Sequence, residues 1–113
     1  MADIKIVFRG DEYVIPDSRA FEIGERVEDI ASLPEILGWA KKPKFFKMAR
    51  CVGEMLRASG GRMSDKDVHS EMMKDFSAGN PGTYFAALSA LISVLMDGAP
   101  QSKGGDEGKP DAS

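Results

Sequence analysis

Residues 43–61 read PKFFKMARCVGEMLRASGG. Phe45, Ala49, Val52 and Leu56 recur every three or four residues, the spacing of one helix face, and Phe46, Met48 and Met55 widen that stripe. Arg50, Glu54 and Arg57 lie beside or opposite it. Pro43 suits a helix start because it has no N–H to leave unpaired, and Gly60 can take the left-handed cap that ends one. The pattern predicts a helix starting at Pro43 and stopping at Ser59-Gly60-Gly61, and with it a mainly helical core.

Downstream, Ser64-Asp65-Lys66-Asp67 offers a cap and an acid three residues later, a variant of the capping box. Val68, Met72 and Phe76 give the following short helix its apolar line. Gly79-Asn80-Pro81 then breaks the chain and restarts it, with Asn80 as the expected cap and Pro81 in the first turn. Tyr84, Phe85, Leu88, Leu91, Ile92 and Leu95 form a wide apolar face, and Ala86, Ala87 and Ala90 permit close packing. This last helix is expected to be the central strut of the core. Residues 101–113, QSKGGDEGKPDAS, carry no large apolar side chain, so 99–113 is expected to be a disordered polar tail.

Upstream, Ser32-Leu33-Pro34-Glu35 is a second capping-box signal, opening a short helix that Lys41-Lys42-Pro43 stops; Trp39 is expected to cover the junction. Phe21, Gly24, Val27 and Ile30 suggest a helix over 18–30, while Phe21 and Ile23 leave a third strand at 20–23 open. At the N-terminus Ile4, Ile6 and Phe8 alternate with polar residues, Gly10-Asp11 interrupts, and Tyr13 and Ile15 resume: a β-hairpin. The fold class is α+β and mainly helical, one small domain over 1–98 with an N-terminal hairpin and four or five short helices.

A chain of 113 residues is too short for a two-domain cofactor enzyme or a TIM barrel. The net charge of -3 argues against a wholly basic nucleic-acid binder. The charge is segmented: seven bases and one acid over 38–62, acidic excess on either side. That layout suits either the solvated surface of several helices or the guidance of a polar partner or a neighbouring copy. A lone cysteine, Cys51, excludes a disulfide scaffold and fits a reducing compartment, and no run is apolar enough to span a membrane. A cytoplasmic location is expected.

Chemistry-bearing patterns are few. There is one histidine, His69, with Asp65 four residues before it as a candidate ion partner. Cys51 lies among bases that could lower its pKa, though a buried free thiol is commoner. Glu25, Glu28 and Asp29 lack calcium-loop spacing, and no phosphate-loop, dinucleotide, HExxH or CxxC motif is present. No catalytic residue, cofactor site or metal site is therefore expected. A helix-turn-helix reading of the 44–58 and 65–77 helices meets an acidic second helix, with Asp65, Asp67, Glu71 and Asp75 facing a would-be phosphate backbone. What stands out is seven methionines beside aromatic residues. Phe45, Phe46, Met48, Met55, Met72 and Met73 either fill an irregular core or form an adaptable surface for a partner.

The opening IKIVFRGDEYVIP, the stretch PKFFKMARCVGEMLRASGGRMSDKDVHSEMM, the closing helix YFAALSALISVLM and the polar tail together resemble the tail assembly chaperones of long-tailed bacteriophages (siphovirus type), prophages and gene transfer agents. The resemblance implies a non-enzymatic protein that coats the tape measure protein during assembly and helps recruit tail tube subunits. It also implies action in the host cytoplasm and absence from the mature virion. Many such proteins are also made in a longer, frameshifted form, and Gly108-Lys109 is what a G-rich then A-rich slippery site would encode. Self-association through the hairpin edge or the Phe45/Phe46/Met48 surface is a further expectation. A head–tail joining or minor structural tail protein, and a small DNA-binding regulator, are the alternative readings.

Overall fold

A computed structural model describes residues 3–80 and 82–97. Strands β1 (Ile4–Phe8) and β2 (Asp11–Ile15) pair antiparallel, with Ile4 opposite Ile15, Ile6 opposite Tyr13 and Phe8 opposite Asp11. Ile4, Ile6, Phe8 and Ile15 point into the core, and Val7 and Val14 face outward. The turn is Arg9-Gly10 rather than Gly10-Asp11, with φ of 51° and 85°. Positive φ at both turn residues matches the right-handed twist of two strands joined this tightly. Arginine is a costly choice there, by roughly 1 kcal/mol. Long-range contacts hold it: Arg9 donates its Nε–H to Glu71 Oε2 at 2.9 Å, and its guanidinium lies 3.9 Å from Asp67 Oδ1.

A 3-10 turn (Asp17–Arg19) leads into α1 (Ala20–Glu28), so the region expected as helix or strand is helix. Its buried face is Ala20, Ile23, Gly24 and Val27, while Phe21 is exposed. The correction is geometric. A strict three-residue repeat from Phe21 drifts around a helix of 3.6 residues per turn, whereas positions i, i+3, i+4 and i+7 share one face. Helix α2 (Leu33–Gly38) starts as expected, with Ser32 Oγ accepting from the Glu35 N–H at 3.3 Å. The Glu35 carboxylate turns instead to Lys47 Nζ, at 2.9 Å.

Helix α3 (Phe45–Ala58) begins two residues after Pro43, with Lys44 as its extended N-cap. Helix α4 (Asp65–Ser77) carries a complete reciprocal box: Ser64 Oγ accepts from the Asp67 N–H at 3.1 Å, and Asp67 Oδ2 accepts from the Ser64 N–H at 3.0 Å. Both helices close with a glycine in left-handed conformation, Gly60 (φ 100°) and Gly79 (φ 86°). The next N–H reaches back in each case, Gly61 to the Leu56 carbonyl at 2.9 Å and Asn80 to the Asp75 carbonyl at 2.8 Å. Asn80 thus ends α4 instead of capping the following helix. In α5 (Thr83–Asp97) the first backbone bond runs from the Ala86 N–H to the Gly82 carbonyl, which makes Gly82 the cap residue. Pro81 and the tail expected at 99–113 lie outside the described residues.

Helix α5 packs against α1, α2, α3 and β1, the central position its wide apolar face predicts. Tyr84, Ala87, Leu88, Leu91 and Ile92 are its buried residues. They join Ile15, Ile23, Val27, Ile36, Val52, Leu56 and Val68 in one core, and no charged or polar residue is fully buried among those described. The architecture is the α+β, mainly helical arrangement read from the sequence.

Candidate functional site

The end of the bundle where α2 stops, α3 starts, α4 stops and α5 starts carries an apolar cleft of about 270 Å³. Its lining comes from three helices and the connections beside them: Trp39, Ala40 and Pro43 between α2 and α3, Phe45 and Met48 of α3, Phe76 of α4, Gly82 just before α5 and Phe85 in its first turn. The chain breaks at both ends because Lys41-Lys42-Pro43 and Gly79-Asn80 cannot extend a helix, which leaves aromatic side chains of the terminal turns without a further turn to cover them. Trp39 and Met48 are buried, Phe45 and Phe85 are half-buried, and Phe76 is 53% exposed. Phe45 and Phe76 meet edge to face with centroids 5.4 Å apart.

Trp39 covers the α2–α3 junction as expected, at 3% exposure. Its indole Nε1–H is buried and makes no hydrogen bond among the described residues. Leaving such a donor unpaired costs about 1–3 kcal/mol.

A second aromatic feature flanks α3 and α4. Phe46, 75% exposed, stacks on His69 with ring centroids 4.2 Å apart and planes 8° from parallel. The expected His69–Asp65 pair does not form. Asp65 Oδ1 lies 2.8 Å from Arg57 Nη2, because Asp65 at the start of α4 faces the last turn of α3.

The six residues singled out as a partner surface are split by the fold. Met48, Met55 and Met72 are buried; Met55 and Met72 fill the core, and Met48 lies at the back of the cleft. Phe45 and Met73 are half-buried, and Phe46 is open to solvent. Periodicity cannot make this distinction, since a methionine on an apolar stripe reads the same whether or not another helix covers it. Trp39, Phe76 and Phe85 belong to the cleft but stood outside the expected surface. Their signal in the sequence was an aromatic residue within a turn or two of a chain break at each place.

No catalytic cluster emerges among the described residues. Burial pushes the Cys51 thiol up to about 12, so it stays protonated and unreactive at neutral pH. Burial likewise raises the Tyr84 hydroxyl to about 12. Glu25, Glu28 and Asp29 are exposed, and no group of three or more His, Cys, Asp or Glu among the described residues could hold a metal ion. Three of the four acids of α4 are engaged within the fold: Asp65 with Arg57, Asp67 with the Ser64 cap, Glu71 with Arg9 and Lys74. Among the described residues no helix is long and apolar enough to cross a membrane.

No protein-family model matches the chain, and comparison with curated proteins and with solved structures likewise finds no significant match.

Proposed function

We propose that this protein is a tail assembly chaperone, a non-catalytic protein that shields amphipathic helical segments of a tape measure protein and helps recruit tail tube subunits. The observation that carries the reading is the apolar cleft bounded by Trp39, Phe45, Met48, Phe76 and Phe85. An apolar trough between helix ends can receive the apolar face of a helix, the helix-in-groove mode of recognition. Exposed aromatic side chains at its rim, Phe76 above all, supply contact area with few rotatable bonds. A weak site suffices for such a role, because many copies along one long polypeptide act together. The host cytoplasm is where this assembly takes place, and the chaperone leaves before the virion matures.

Co-expression with the tape measure protein of the same genome tests the proposal. The soluble fraction of that long protein rises with this chain present and falls back with the Phe76→Ala/Phe85→Ala double variant. Equal solubility with and without the chain would rule the role out. A particle purified with this chain in fixed stoichiometry would assign it to head–tail joining or tail structure instead.

A further inference from the structure

The lip of the cleft is strongly one-signed. Ala40 and Pro43 line it, and the residues beside them are Lys41, Lys42 and Lys44, all exposed. None of the three has an acidic partner among the described residues, whereas the neighbouring Lys47 is paired with Glu35. On the opposite wall, among the described residues, the only charge directly beside a lining residue in sequence is Asp75, next to Phe76. Three free cations beside an apolar trough specify an occupant that brings apolar side chains and carboxylates together.

Resting on the groove reading above, we infer that the cleft selects an acidic amphipathic helix. Its apolar face fills the space between Phe45, Phe76 and Phe85. Glu or Asp residues flanking that face meet Lys41, Lys42 and Lys44. The basic lip steers the encounter and fixes the partner's sign, while the aromatic walls hold it. An uncharged or basic amphipathic helix of the same shape is disfavoured because it leaves the lysines unpaired or repelled.

The test uses the full chain and two designed helical peptides of about 18 residues, roughly five turns. Both carry leucine along one face; one has glutamate on the flanks of that face and its twin has lysine. Trp39 is the single tryptophan, so its fluorescence reports occupancy of the cleft directly. At about 10 mM salt the acidic peptide binds roughly tenfold or more tightly than its twin, and the gap closes towards about 1 M salt, where charges are screened beyond about 3 Å. Combining Lys41→Glu, Lys42→Glu and Lys44→Glu, all at exposed positions, reverses the preference. Equal binding of the two peptides, or an acidic preference that survives the triple substitution, overturns the charge selection and leaves the groove reading intact. Failure of both peptides to bind overturns both. Peptide-free self-association that Phe76→Ala abolishes would assign the cleft to a second copy of the chain, and would also overturn the inference.

Discussion

Phe45 and Phe76 meet edge to face, ring centroids 5.4 Å apart and planes at 62°, and so join the first turn of α3 to the last turn of α4 as one wall of the cleft. The pair is only partly buried, with Phe76 53% exposed. Replacing Phe76 with alanine should therefore cost about 1 kcal/mol and lower the melting temperature by only a few degrees. Leu91 is fully buried in α5, so Leu91→Ala should cost about 2–5 kcal/mol and lower it by more than about 10 °C. Thermal denaturation of the two variants side by side checks this. A Phe76→Ala loss as large as that of Leu91→Ala would make Phe76 a core residue and not a wall of an open site.

Gly53 allows α3 and α4 to approach closely. A Cβ there would collide with Asp65 Oδ1 and lie 2.9 Å from Arg57 Nη1, the two groups of the ion pair that ties the helices together. In an isolated helix, alanine would be favoured over glycine by about 1 kcal/mol. In this fold that gain should be largely cancelled, because the methyl displaces the partly exposed Arg57–Asp65 pair, whose flexible ends shift to make room. A Gly53→Ala variant that gains the full stability expected in an isolated helix, measured by circular dichroism, would show that the Arg57–Asp65 pair contributes nothing.

Two carboxylates link the hairpin and α4 to acid stability. The Glu71 carboxyl is held below its usual range first by the hydrogen bond from Arg9 and then by Lys74. Asp67 is held down first by the Ser64 N–H and also by the Ser64 hydroxyl. A carboxylate with a depressed folded-state pKa contributes stability that is fully present above its unfolded value, about 4, and is lost as the pH falls through the folded value. Unfolding free energy measured from about pH 6 down to about pH 2 should thus fall less steeply for Glu71→Gln than for the native chain. Identical slopes would mean that the Arg9–Glu71 contact is not formed in solution.

Much of the fold was legible because local chemistry and tertiary packing agree. Ile4, Ile6 and Phe8 alternate in the sequence and are the buried face of β1; Ser64 and Asp67 announce the start of α4 and form its box. The misreadings arose where two local signals compete. Asn80 can cap a helix or follow a glycine that ends one, and the backbone bond to Asp75 decides for the latter. Phe21 lies on a pattern that three-residue counting accepts and helix geometry rejects. The cleft itself could not be read along the chain, because Trp39, Phe45, Phe76 and Phe85 come from four separate helix ends that only the packing of α4 on α3 and of α5 against α2 and α3 brings together.

The claim that the apolar cleft is where a helical partner binds has a direct reporter in the indole N–H of Trp39, a single resonance in a proton–nitrogen correlation spectrum because the chain has one tryptophan. On titration with a helical segment of the tape measure protein, the account predicts that this resonance moves together with the backbone signals of Phe45, Phe76, Gly82 and Phe85. The outer hairpin residues Val7 and Val14 should stay in place. Shifts confined to the hairpin, with the Trp39 indole signal unmoved at saturation, would contradict it.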